Sequence, residues 1–533
     1  MTERNSSSKN QDMALLEPPR TRRAIISVAN KEGLLFFVSG LRACGVELLS
    51  TAGTASLLKY EHVPVVDLGK YTGVNEIFGG RIKTLQTKVH AGILARRDVP
   101  SDMKTLKDLE IAPIDLVVVN FYPFSETISQ PDLPWEEAIE AIDIGGPAMV
   151  RAAAKNHRFV TVVTDPRDYA PVLESIKKKG GVDAETRLRL ATKAFSYTAS
   201  YDAAIASSFQ EKEKTREPLP EVIVQTWTRR EVFRYGENPQ DRGAFYVNPQ
   251  DPLASKVFVR RTGSDLSYNN MLDADCAWRL VQSLDKPACV LVKHANPCGA
   301  AVGKDAADAF QKAHAADPVS AYGGIVAFNT PITPEVCKAM DPHFFEVLIL
   351  EESDLEVESW ARRKKRIRLL RMPSSLPQEE FNFRSILGGT AATSTILKPV
   401  DTRSFRLVTK RVPTQDETQA LLFSWQVAKA ALSNAIVLCR GKQTLAIGTG
   451  QQSRVDAVRV AVDKAHDRGH ATEGAAAASD GFFPFADSVE LLAKAGVLAI
   501  IQPGGSIRDA EVIEAANNAD MAMLFTDQRE FRH

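Results

Sequence analysis

The 533-residue sequence predicts an α/β protein: a doubly wound N-terminal domain followed by an internally duplicated α/β region. Three observations carry that expectation. From Ala24 to Val163, short runs of branched apolar residues alternate with segments of helical periodicity, the pattern of βα units on a parallel sheet. Gln210 to Pro220, QEKEKTREPLP, is charged, ends in proline and is nearly free of apolar residues, as a domain boundary or an exposed helix end is. Beyond it, one arrangement of helix, strand, tight turn, small-residue segment and helix occurs twice. The expected division is a disordered tail over 1–20, a first domain over 21–217 and a duplicated second domain over 218–533.

Composition bounds the function. Lys plus Arg and Asp plus Glu both number 66, so no net field draws the chain to nucleic acid or to an anionic membrane. No apolar run approaches the roughly 18 residues of a membrane span. The first residues, MTERNSSSKNQDMALLEPPR, hold no apolar signal core. The 6 cysteines are scattered without a CxxC pair, which suits reduced thiols and neither a disulfide framework nor a Cys-rich metal site. A cytoplasmic protein without a catalytic metal is the expectation.

In the first domain, AIISVA is expected as a strand, Lys31 to Arg42 as a helix and Val46 to Leu49 as a second strand. Ser50-Thr51-Ala52-Gly53-Thr54 then opens a helix to about Tyr60. A small, hydroxyl-rich loop at that junction can cradle a phosphate, because free amides and the helix dipole face the anion. Arg81 and Lys83, behind Gly79-Gly80, can approach a phosphate or a developing oxyanion. The buried strand Leu116 to Val119 delivers Asn120-Phe121-Tyr122. Asp143-Ile144-Gly145-Gly146 precedes a helix over Ala148 to Asn156, and Val160 to Val163 is the next strand. These polar residues cluster at strand C-termini and helix N-termini, where open α/β sheets bind ligands.

In the second region, Val290 to Val292 reads as a buried strand that ends at Asn296-Pro297-Cys298-Gly299. Lys293 and His294 stand at its lip, and the Asn-Pro turn is expected to break the pairing so that both serve one site. A cation beside a neutral-pH base suits proton transfer to an acyl group. The repeated units are helix Asp273 to Leu284, strand Ala288 to His294 and helix Ala306 to Ala316, then helix Glu417 to Leu432, strand Ala435 to Cys439 and helix Val455 to Ala465. His294-Ala295-Asn296 with Pro297-Cys298 echoes the zinc motif of cytidine deaminases, but Asn296 replaces the proton-shuttling glutamate and Ala301 the second thiolate. The likeness is to that fold only. The run Arg362 to Arg366, downstream of Glu351 to Glu358, reads as a charge-balanced exposed helix.

ISVANK, GGRIKTL, VHAGILARR, NFYPF, IDIGGPAMVRAAAKNH and KAFSYTASYD together resemble the cyclohydrolase half of the bifunctional purine-biosynthesis enzymes, over Arg22 to Phe209. RYGENP, VLVKHANPCGAAVG, DPVSAYGGIVAFN, LSNAIVL, GTGQQSRVDAVR, SDGFFPFADSVE, IIQPGGSIRDAEVI and the terminal FRH resemble their transferase half, from Arg234 to His533. The resemblance implies a methylglyoxal-synthase-like first domain and a duplicated, cytidine-deaminase-like transferase region. It implies formyl transfer from 10-formyltetrahydrofolate, as co-substrate, to aminoimidazole-carboxamide ribonucleotide, then ring closure to inosine monophosphate. It further implies no tightly bound cofactor, and a homodimer with the transferase site between subunits.

The resemblance, carried over residue by residue, implies the following expected roles: Lys83, Tyr122, Asp143 and Lys155 are the ring-closing residues. Ser27, Lys31, Thr51, Gly53, Thr54, Arg81, Thr84, Asn120 and Gly145 are nucleotide contacts. Lys293 and His294 are the transferase pair, with acid and base roles left undivided. Arg234, Tyr235, Gly323, Asn434, Arg454, Phe482, Asp487 and Arg529 are ribonucleotide or folate contacts. The chain departs from the family at Ala52 and Gln86-Thr87, at Leu348 to Leu350, and at Leu387 to Ala391, which stands in a normally apolar strand.

Overall fold

A computed structural model describes residues 18–533 apart from 129, 131, 214–218, 250, 378 and 397–401. Most of the expected tail and the expected boundary at 217/218 lie outside those residues. The chain forms two compact units, one up to Thr226 and one from Trp227 to His533.

The first unit is built on five strands: β1 (Arg23–Val28), β2 (Glu47–Ser50), β3 (Val66–Asp67), β4 (Leu116–Asn120) and β5 (Thr161–Val163). They lie in the order β3-β2-β1-β4-β5, all parallel. The chain runs outward from β1 to β3 and then restarts at β4 on the other side. The crevice beyond the carboxyl ends of β1 and β4 is therefore a topological switch point. Alternate residues feed two cores. Ile25, Val117 and Val119 pack on one face, and Ala24, Ile26, Leu116 and Val118 on the other. The helix expected from Ala148 begins earlier and spans Gly145–Lys155. Pro147 did not delay it, because a proline in a first turn gives up no amide the helix needs.

The second unit opens with an antiparallel pair, β6 (Thr228–Val232) and β7 (Ala244–Val247), and holds a twelve-stranded sheet whose order states the duplication. One half is β10 (Asn296–Val302), β9 (Ala288–Lys293), β11 (Gly324–Phe328), β12 (Phe345–Leu350), β13 (Arg368–Arg371) and β8 (Val259–Thr262). The other half is β18 (Gln443–Gly448), β17 (Ile436–Arg440), β19 (Ala476–Ser479), β20 (Ala499–Gln502), β21 (Ala522–Phe525) and β16 (Arg406–Leu407), in the same relative order. Parallel and antiparallel pairings match step by step, and β10 pairs antiparallel with β18 to join the halves. One face carries a core shared by both halves, under the helices Tyr268–Ser283 and Gln415–Ala430. The other face carries a separate core in each half, against Ala306–Ala316 and Arg454–Asp467.

Two expectations are corrected here. Asn296-Pro297-Cys298-Gly299 does not end a strand. It starts β10, and the turn is His294-Ala295, with Lys293 paired to Asn296. Pro297 is tolerated because the register shifts between Pro297 and Gly299, a bulge where a ladder amide is not required. Of Leu387 to Ala391, Leu387-Gly388 form a hairpin tip between β14 (Glu379–Ile386) and β15 (Gly389–Ile396), and only Gly389 to Ala391 stand in a strand. The run Arg362 to Arg366 starts in the last turn of the helix Leu355–Arg363 and continues past it, with Arg362 paired to Glu358 on the same helix and Lys364 to Asp341, just after the Pro334–Met340 helix.

Candidate active sites

In the first unit, the C-termini of β1, β2 and β4 bring a hydroxyl-rich set together. Ser27 Oγ lies 2.9 Å from Thr51 Oγ1. Lys31 Nζ donates to Thr54 Oγ1 at 3.0 Å and to the Val28 carbonyl. Burial holds the Lys31 ammonium below its ordinary pKa. Asn120 Oδ1 accepts the Ala29 and Asn30 amides at 2.6 and 2.9 Å, fixing the loop after β1. Thr51 is the N-cap of the Ala52–Tyr60 helix, yet its side chain makes no cap bond there, and a Cβ at Gly53 would meet open space. The loop therefore offers hydroxyls and helix amides toward the crevice.

A second set lies around the start of the Gly145–Lys155 helix. Thr84 Oγ1 is buried without a hydrogen-bond partner among the described residues, and a Cβ at Gly145 would collide with it. Only glycine lets that hydroxyl reach the helix terminus, and a buried unmet hydroxyl there is what a bound group would satisfy. Asp143 Oδ1 accepts the Gly146 amide at 2.9 Å. Burial raises the Asp143 carboxyl above its ordinary pKa, while the Gly146 amide, the Lys83 charge and the Gly145 amide act to lower it. Lys83 Nζ stands 3.4 Å from Glu76 Oε2 and lies over Gly80, whose φ of 100° and lack of a Cβ make the approach possible. Phe121 packs against Tyr197 and Tyr201, leaving its neighbour Tyr122 61% exposed at the rim.

Two assigned residues stand apart. Arg81 is held by Glu140 in an exposed ion pair. Lys155 closes a helix of 11 residues that Gly145 opens, so Asp143 and Lys155 are on the order of 15 Å apart along its axis. They face one groove of about 920 Å³, lined also by His90, Arg151, His157 and Phe195. Arg151 stacks over Phe195 at 5.8 Å.

In the second unit, His294 and Ala295 have φ of 55° and 56°, the left-handed pair a two-residue hairpin of type I′ requires. The turn presents His294 to solvent, while Lys293 Nζ donates to the Tyr322 carbonyl at 2.5 Å, next to Gly323. Arg532 connects this hairpin to the start of β17. It donates to the Ala295 carbonyl at 3.1 Å, and its backbone pairs with Ser433. Asn434 Oδ1 accepts Arg454 at 2.6 Å, and Arg454 pairs with fully buried Asp480, which also accepts the Ser433 hydroxyl. Arg454 and Arg529 both stack on Phe531, at 5.9 and 4.6 Å. Thus Lys293, His294, Gly323, Asn434, Arg454 and Arg529 share one connected region.

Phe482 is partly exposed beside Gly481, and Asp487 begins the Asp487–Lys494 helix. Among the described residues no hydrogen bond or ion pair joins Arg234 or Tyr235 to Lys293 or His294. Their loop is tied through the Glu237 carbonyl to Asn269, at the start of the Tyr268–Ser283 helix. The sequence reading missed Asp273, Asp480 and Arg532. The first was visible as an acid on a helix stripe with Ala274 and Ala277; the others lay inside quoted motifs with no role attached. Cys298, the candidate zinc thiolate, donates to the Leu291 carbonyl, and burial pushes its pKa up to about 12. No group of three or more His, Cys, Asp or Glu among the described residues is placed to hold a metal.

One unit thus carries a parallel α/β sheet with a topological switch point and the other a duplicated mixed sheet, a two-unit protein of the α/β class. Residues 153–464 match the AICARFT/IMPCHase bienzyme family and residues 33–148 match the MGS-like domain, and the chain belongs to the AICARFT/IMPCHase bienzyme family. Its activities are formyl transfer from formyltetrahydrofolate to aminoimidazole-carboxamide ribonucleotide and closure of the product to inosine monophosphate, the last two steps of purine biosynthesis. A solved structure titled "Crystal structure of ForH" is 36% identical, covering 36% of this chain and 99% of its own, with a TM-score of 0.33. No helix among the described residues is long and apolar enough to cross a membrane.

Proposed function

We propose that the two units divide the two reactions, with ring closure at the switch point of the first and formyl transfer at the His294 hairpin of the second. The observation that supports the first half is the orphan Thr84 hydroxyl at the Gly145 helix terminus, beside Lys83 and Asp143. Ring closure brings a carboxamide nitrogen onto a formyl carbon of the same molecule and expels water. The amide is a weak nucleophile, so holding the groups in contact and stabilising the alkoxide are what the site must supply. Lys83 and Tyr122 serve the oxyanion, and Asp143, whose carboxyl burial raises above its ordinary pKa, takes or orients a proton. Lys155 stays with this site on the resemblance, at the far end of the shared groove.

In the second unit, the substrate amine is conjugated with its ring and attacks the formyl carbon only as its proton leaves. His294, exposed at the turn, relays that proton. Lys293 stabilises the carbonyl oxyanion or protonates the departing folate nitrogen. No tightly bound cofactor takes part, and the enzyme works in the cytoplasm. The assembly is a homodimer, in which the second copy completes the transferase site.

Two measurements test this reading. Given ribonucleotide and formylfolate, Lys83→Ala is expected to release folate at the parent rate while formylated ribonucleotide accumulates in place of inosine monophosphate. Loss of both activities in folded protein contradicts the division. Dilution to monomer is expected to lower folate release per subunit more than cyclisation, and equal losses contradict the shared site.

A further inference from the structure

We propose that Asp273 is a positioning residue of formyl transfer, its carboxylate holding the His294-Ala295 turn left-handed and so aiming the His294 ring at the substrate amine. This rests on the reading of His294 as the proton relay.

Type I′ positions favour Asn, Asp and Gly, whereas this turn uses His and Ala at φ of 55° and 56°. Left-handed backbone is disfavoured at each such residue, so an unsupported turn would yield to other conformations and carry the imidazole with it. Asp273 opposes that. Its Oδ1 accepts the Ala295 amide at 2.6 Å and its Oδ2 the His294 amide at 3.3 Å. Successive amides converge on one anion when the backbone curls in this way. The carboxylate comes from the buried side of the Tyr268–Ser283 helix, which a Ser267–Asn270 capping box anchors. Across the turn, Arg532 tethers the Ala295 carbonyl. Both carboxylate oxygens bind backbone, and among the described residues no Asp273 hydrogen bond reaches the His294 ring. Asp273 therefore clamps the turn rather than orienting the imidazole directly.

The duplicated half is an internal comparison. The helices Tyr268–Ser283 and Gln415–Ala430 are both 16 residues long and are capped by Ser267 and Thr414. By register from those caps, Asp273 corresponds to buried Ala420. The matching hairpin turns through Gly441-Lys442, and there only Gly441 is left-handed, with φ of 55°. Where glycine forms the turn unaided, the carboxylate is absent.

The experiment compares Asp273→Asn, Ala295→Gly, the double variant and His294→Ala in the full-length protein, reading folate release and, as a fold control, cyclisation. Asp273→Asn is expected to lower kcat for transfer on the order of tenfold or more, with a smaller change in the ribonucleotide KM. Glycine takes the left-handed region freely, so Ala295→Gly in the Asp273→Asn background is expected to restore most of the loss. Ala295→Gly alone is expected to change transfer little. Parent-like transfer in Asp273→Asn, or a loss that Ala295→Gly does not relieve, overturns the clamp. Parent-like transfer in His294→Ala instead overturns the underlying reading, so the two failures are distinguishable. If Asp273→Asn does not fold, Arg532→Gln removes the opposite tether. Rescue of its transfer defect by Ala295→Gly supports the held turn, and absence of a defect or of rescue overturns it.

Discussion

Replacing Thr84 by valine is expected to make the protein more stable and a poorer cyclohydrolase at once. The side chain is buried, yet its hydroxyl finds no partner among the described residues, wedged against Gly145 where the helix begins. A buried unsatisfied hydroxyl costs roughly 1–3 kcal/mol. Valine keeps the branched shape and removes that penalty, so a gain of about 1 kcal/mol is expected, discounting the slightly larger methyl. For a unit of this size that is a rise of roughly 2–4 °C in melting temperature. The same change deletes a donor from the nucleotide crevice. A neutral hydrogen bond contributes about 0.5–1.5 kcal/mol net, so KM for formylated ribonucleotide is expected to rise roughly two- to tenfold. If the contact is made equally in ground and transition states, kcat holds. Thermal unfolding and steady-state cyclisation of Thr84→Val and Thr84→Ser measure both effects. A valine variant that is less stable than the parent with an unchanged KM refutes the assignment of the hydroxyl to a ligand.

Two further outcomes follow from buried charge. Burial raises the Asp143 pKa, so its contribution to stability is present at low pH and is lost as pH rises through the folded value. Asp143→Asn is accordingly expected to be more stable than the parent near pH 7 and to lose that advantage below the ordinary carboxylate pKa of about 4, as urea midpoints across pH will report. Arg454→Met leaves fully buried Asp480 without its cation, and a loss of about 3–5 kcal/mol is expected, reduced by the Ser433 and Ala435 bonds that remain. An unchanged urea midpoint for Arg454→Met would show that the pair does not hold the segment before β17.

Much of the fold was legible because the strands are buried on both faces. Continuous apolar runs such as Leu116 to Val119 mark such strands, and the duplication was visible as repeated spacing of helices and small-residue segments. The hairpin was misread for a physical reason. Sequence favours Asn-Pro as a turn and His-Ala as strand, and only tertiary contacts from Asp273 and Arg532 reverse that preference. The candidate sites were legible as residue types at strand ends, such as Ser27, Thr51 and Asn120. Arrangement was not. The helix expected over Ala148 to Asn156 already sets Lys155 and Asp143 at opposite ends, but nothing in the spacing engages Arg81 with Glu140. Asp480 was invisible as a centre because its partners come from two other segments, Ser433 and Ala435 from one and Arg454 from another.

The division of labour between the units is tested most directly by supplying formylated ribonucleotide itself and timing its conversion to inosine monophosphate. On the proposed division, His294→Ala alters only the hairpin of the second unit, so conversion at the parent rate is expected. Lys83→Ala removes a cation beside Asp143 and is expected to slow conversion on the order of a hundredfold or more. A folded His294→Ala protein that cannot close the ring would contradict two separate sites.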